Sequence, residues 1–133
     1  MFSMPIKPVA NPARVVLCES FDQRILRAAH TLNQHHLAKV ILLGNPDLLE
    51  QAAVGNRTDL KGIELFDYET APVQKEIKAT LARLGSKEAL DPTDPVVAGA
   101  WLARTGRADV AIAGAATTAT HTMRVFLKVL GLA

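Results

Sequence analysis

The sequence predicts an α/β fold of three layers, a mostly parallel sheet with helices on both faces. Three observations predict it: short continuous apolar runs recur at four places, each borders a segment with helical spacing, and turn-forming residues mark the joins. Continuous apolar runs suit strands buried on both faces. Strand and helix in alternation call for parallel strands joined by right-handed crossovers.

RVVLC at 14–18 is the first run. In ESFDQRILRAAHTLNQH, which follows, Ser20 and Gln23 have capping-box spacing, and Ile25, Ala29 and Leu32 recur at helical intervals. KVILL at 39–43 is the second strand; Asn45 then caps a helix whose first position is Pro46. IELFD at 63–67 is the third, followed by TAPVQKEIKATLARLG, where Ile77, Leu81 and Leu84 share one side and Gly85 closes the helix. SKEALDPTDP at 86–95 reads as an exposed loop. The next helix starts at Asp94 and Pro95, carries Trp101 as a core anchor and stops at Gly106, before the fourth strand, VAIA, at 110–113. Strand order is not written in these patterns.

At 133 residues with 49% hydrophobic residues and a net charge of +2, the chain has the size and composition of one soluble globular domain. Its basic residues are scattered and its aromatics few, which argues against nucleic acid. No apolar run approaches the roughly twenty residues that span a bilayer. Residues 1–12, broken by Pro5, Pro8 and Pro12, lack the apolar core of a signal peptide and read as a loosely packed segment. The single cysteine, Cys18, fits a reducing compartment, so a cytoplasmic location is expected. Cys18 reads as a buried strand-end thiol and not a nucleophile.

The stretch AIAGAATTATHTMR at 111–124 carries the chemistry. Ligands of open α/β sheets collect beyond the carboxyl ends of the strands, and Gly114 lies at such an end. Ala115 and Ala116 keep the backbone accessible, Thr117, Thr118, Thr120 and Thr122 supply hydroxyls, and a helix N-terminus favours an anion, with phosphate the natural candidate. Thr117, His121, Arg124 and Lys128 fall on one polar stripe, and Ala119, Met123, Phe126 and Leu130 form an opposing stripe expected to pack. Arg124 would offer phosphate a planar fork of donors. The alternative is purely structural: small residues for close helix packing, threonine caps and a solvated arginine. His121 is expected as an exposed surface histidine, with a cleft-facing role as its alternative. Asp22 and Arg24 read as a capping acid and a surface arginine on the ligand-binding edge, Arg24 being a minor phosphate candidate. Glu19, Asp67 and Asp109 lie near strand ends without spacing for acid-base or metal work, and the adjacent His35 and His36 point apart on a helix. No metal site is expected.

Four motifs in order, ARVVLCESFDQRILRAAHTL, AKVILLGNPDLL, DPVVAGAWLARTGRADVAIAGA and TMRVFLKVLGL, resemble the phosphate acetyltransferase and phosphate butyryltransferase family from about Ala13 to the last residue. The resemblance implies reversible acyl transfer between acetyl phosphate, or another acyl phosphate, and coenzyme A. Coenzyme A and acetyl-CoA are then substrates, with no covalently bound cofactor, and the full-length form is a homodimer. Gly114, Ala115, Thr118, Thr122 and Arg124 match the family's glycine and arginine block and become candidates for the phosphate side of the cleft. The family's serine, arginine and aspartate for acetyl contacts and thiol activation fall beyond Ala133. Residues 13–133 thus resemble an amino-terminal domain, apparently truncated, without its catalytic base and inactive alone. The alternative is a regulatory module like the phosphotransacetylase domains fused to malic enzymes.

Overall fold

A computed structural model describes residues 11–85, 90–115 and 117–131. The expected loose segment thus lies outside the described residues except for its last two positions, as do 86–89 of the expected loop. The elements are β1 (Arg14–Leu17), α1 (Gln23–Gln34), β2 (Lys39–Leu43), α2 (Pro46–Gly55), β3 (Glu64–Phe66), α3 (Ala71–Leu84), α4 (Pro95–Arg104), β4 (Val110–Ile112) and α5 (Ala119–Val129). All four strands are parallel, in the order β3-β2-β1-β4. Each of the four runs expected to form a strand does so, shorter by a residue or two in three of them.

Alternation along β1 and β2 divides the core. Val15, Leu17, Val40 and Leu42 pack with Leu26 and Ala29 of α1 and Leu49 and Ala53 of α2. Val16, Cys18, Ile41 and Leu43 face the other way, against α4, Ile77 of α3 and Val125 and Val129 of α5. Helices therefore cover both faces. Residues 96–102 of α4 are all buried, because α4 lies on the sheet and is flanked by α3 and α5. Gly99 permits this: a Cβ there would collide with Cys18 Sγ. Trp101 is the expected anchor, 2% exposed, its indole N–H donating to Thr80 Oγ1 at 3.1 Å.

Helix punctuation follows the sequence at α2, where Asn45 caps and Pro46 leads, and at α3, where Gly85 takes the left-handed conformation. At α1 it departs. The cap is Asp22, two residues past Ser20; the Ser20 hydroxyl instead donates to Leu17 O (3.0 Å) and accepts from Leu43 N (2.7 Å), tying the ends of β1 and β2. A hydroxyl that fills a gap between two strand ends is not available to cap a helix.

Two further expectations are corrected. β4 is not buried on both faces: Ala111 packs on the α4 side while Val110 and Ile112 stay 44% and 46% exposed, because α1 and α2 cover the other three strands. On α5 the expected stripe is half right: Phe126 and Leu130 pack against the core, but its buried residues are Thr122, Val125 and Val129, and Ala119 and Met123 are exposed. Among the described residues no helix is long and apolar enough to cross a membrane.

Candidate functional site at the switch point

The chain leaves β1 towards β2 and β3, then crosses back to place β4 on the other side of β1. The carboxyl ends of β1 and β4 are therefore the topological switch point, where an open α/β sheet leaves a crevice. Three helix N-termini border this edge. Asp22 caps α1, Asp94 caps α4 and Thr118 caps α5, each side chain accepting a first-turn backbone N–H.

Glu19, the second residue past β1, reaches across to β4. Its Oε1 accepts the backbone N–H groups of Gly114 (2.6 Å) and Ala115 (2.8 Å), and the residue is only 8% exposed. The concave pair of amides that the sequence offers to an anion thus holds an internal carboxylate. Gly114 sits at φ 117 with nothing among the described residues within 4 Å of a would-be Cβ, so its glycine answers to backbone conformation.

Arg24 approaches the same peptides from the other side. Its Nη2 donates to Ala115 O at 2.5 Å, while Nε and Nη2 bond Asp22 at 3.0 and 2.7 Å. Those bonds, chiefly from the Arg24 side chain, push Asp22 down to about 2 and raise the Arg24 guanidinium in return. The expected capping acid and surface arginine are both present, and together they also grip the β4–α5 loop.

The remaining candidates distribute unevenly. Thr118 spends its hydroxyl on the cap, accepting from His121 N at 3.2 Å. Thr122 faces the packed side, and its Oγ1 is buried without a hydrogen-bond partner among the described residues. Thr117 is half-buried in the loop, and Arg124 is exposed on α5. Ala116 lies outside the described residues. His121 lies at the helix surface as expected, its side chain 40% exposed, but it also has a partner: its Nε2 lies 2.6 Å from Asp94 Oδ2, joining the first turns of α5 and α4. The reason is topological, since α4 and α5 pack side by side with both N-termini at one edge.

Beside this crevice a cleft of about 290 Å³ is lined by Cys18, Glu19, Ser20, Phe21, Tyr68 and Pro95, among others. Cys18 is fully buried, and burial, then Glu19 and Asp94, push its thiol up to about 12. It is a neutral packing group. Burial likewise raises Tyr68, whose hydroxyl donates to Thr93 O at 3.2 Å.

A family model described as phosphate acetyl/butaryl transferase matches residues 4–133. The chain belongs to this family.

Among its relatives, the phosphate acetyltransferase of Nitratidesulfovibrio vulgaris is 28% identical over 92% of this chain and 18% of its own length. That of Acetivibrio thermocellus is 31% identical over 87% of this chain and 36% of its own. The chain therefore spans well under half of the curated relatives it matches. Two solved structures share the fold. EutD phosphotransacetylase from Staphylococcus aureus superposes with a TM-score of 0.74 at 24% identity, over 89% of this chain and 38% of that one. A phosphotransacetylase from Streptococcus pyogenes gives 0.79 at 23%, over 91% and 39%.

Proposed function

We propose that the chain forms the phosphate-side wall of a phosphate acetyltransferase, serving reversible acyl transfer between acetyl phosphate and coenzyme A. The observation that carries this is the β4–α5 connection: a glycine-ended strand at the switch point leads through Thr117 and the cap Thr118 into a helix that bears Arg124. Family membership and the naming of the relatives as phosphate acetyltransferases support the reaction class.

In this reading the coenzyme A thiolate attacks the acyl carbonyl. A carbon–sulfur bond forms, the carbon–oxygen bond to phosphate breaks, and the electron pair leaves on phosphate. The first-turn amides of α5 and Arg124 hold that leaving charge, which grows as the bond breaks. Because Glu19 fills the Gly114 and Ala115 amides, these two residues shape the wall while Arg124 and the amides of Ala119 and Thr120 meet the oxygens. Thr122, with its hydroxyl buried, contributes packing to the same wall. Thr117 is placed to add a hydroxyl, and His121 aligns α5 through Asp94.

Thiol activation belongs to groups outside this chain, so it binds phosphate without turnover, in a protein that acts in the cytoplasm as a homodimer. The test adds acetyl phosphate and coenzyme A to this chain and to the longest protein its gene encodes, and follows acetyl-CoA. The expected result is turnover by the longer protein only. A longer protein that binds coenzyme A or phosphate but forms neither acetyl-CoA from acetyl phosphate nor butyryl-CoA from butyryl phosphate would establish the regulatory alternative.

A further inference from the structure

Resting on the reading above, we propose that Glu19, Asp22 and Arg24 act together as positioning residues, a clamp from the β1–α1 loop that grips the peptides of Gly114 and Ala115 and so sets the α5 N-terminus against phosphate. None of the three needs to touch the ligand.

The geometry assigns each a part. One oxygen of Glu19 takes both N–H groups of the loop, and Arg24 takes the carbonyl of Ala115 from the other side. Asp22 fixes the guanidinium through two of its nitrogens, and its Oδ1 also accepts Arg24 N at 2.9 Å, so the arginine is anchored at its base as well as its tip. Donor and acceptor groups of the β4–α5 loop are thus held by one six-residue stretch, 19–24, of a neighbouring strand's connection. Charge-assisted bonds of this length are the strong ones, and both Glu19 contacts are screened from water by burial.

The same contacts exclude the more obvious role. A phosphate seated on the Gly114 and Ala115 amides would have to expel a buried carboxylate and then lie beside it, two like charges in a poorly solvated crevice. Glu19 therefore prepares the site and does not compete for it. Arg24 is committed to Asp22 and Ala115 for the same reason.

The experiment uses the whole chain and inorganic phosphate as probe, with calorimetric titration and amide hydrogen exchange read on wild type, Glu19→Ala, Glu19→Gln, Arg24→Ala and Arg124→Ala. A displaced wall costs affinity steeply, so Glu19→Ala and Arg24→Ala each weaken phosphate binding by about tenfold or more. Glu19→Gln keeps an acceptor oxygen and recovers most of the affinity, which a general loss of stability would not allow. Exchange at Gly114 and Ala115 speeds up in Arg24→Ala, although Arg24 bonds the carbonyl and not those amides. Wild-type affinity in both alanine variants, with unchanged exchange at Gly114 and Ala115, overturns the clamp. Absence of phosphate binding by the wild type overturns the functional reading instead, and the exchange data alone then decide the clamp. If Glu19→Ala does not fold, Arg24→Ala, at an exposed side chain, carries the same comparison.

Discussion

Strands β1 and β4 are pinned together at both ends by a carboxylate, in opposite ways. At the amino end Asp109 receives the backbone N–H of Arg14 and pairs with its guanidinium, at 2.8 and 3.0 Å, with both side chains nearly half exposed. At the carboxyl end Glu19 is buried and receives two backbone amides. The exposed pair is screened by water and contributes little. The buried carboxylate has lost its water, so its two donors are obligatory, and it dictates where the loop between β4 and α5 runs. The same chemical group is a strand-end fastener on one edge and the organiser of a binding wall on the other, and solvent makes the difference.

Glu19→Ala removes the buried half of this contrast. Hydrogen bonds to a buried charge are worth more than neutral ones, so a loss of about 2 to 3 kcal/mol in unfolding free energy is expected from denaturant titration. A loss equal to that of Asp109→Ala would dissolve the distinction.

The next largest effect probes packing beneath the same end of β1. Gly99→Ala gains helix propensity but drives a Cβ into Cys18 Sγ, for a net loss of about 1 to 2 kcal/mol. Adding Cys18→Ala should return most of it, and a double-mutant cycle measures the coupling. With its thiol pushed up to about 12 and buried, native Cys18 should resist alkylation at neutral pH and react only on unfolding.

Smaller still is Asp109→Ala, expected to cost at most about 1 kcal/mol and to lose that effect in high salt. Salt should leave the Glu19 variant's loss almost unchanged.

The smallest contribution to global stability is that of the exposed Asp22–Arg24 pair, which acid releases. Asp22 titrates at about 2 against an ordinary 3.8, mainly because the Arg24 side chain bonds its charged form. A depressed carboxylate contributes above its unfolded value and loses that contribution as pH falls through the folded one, so the Arg24 grip is whole above about pH 4 and released towards pH 2. The resonance of the Arg24 amide, which donates to Asp22 Oδ1, should report a midpoint near 2. A midpoint at 3.8 would mean that the Asp22–Arg24 pair does not form in solution.

The strands and helices are legible in the sequence because their signals are local: apolar runs for β1 to β3, Asn45 and Pro46 at α2, Asp94 and Pro95 at α4, Gly85 after α3. The departures are those that neighbours decide. Ser20 matches a capping pattern yet serves two strand ends, because only the fold brings Leu43 N to it. Met123 falls on an apolar stripe yet is exposed, because α5 packs through Thr122, Val125 and Val129. Glu19 shows the limit most clearly. An acid just past a strand and a glycine ending another strand are both visible in the sequence, but nothing local says that β1 and β4 are neighbours, and without that order the pair cannot be drawn. Asp94 and His121, 27 residues apart, are separated by the same gap.

A phosphate titration followed by amide resonances across the whole chain tests the phosphate wall most directly. Shifts are expected only along the switch-point edge, strongest at residues 117–121 and near Arg124, and abolished in Arg124→Ala. Shifts centred on Arg14 and Lys39 at the opposite edge, or an Arg124→Ala variant that responds like the wild type, would contradict a phosphate site at the α5 N-terminus.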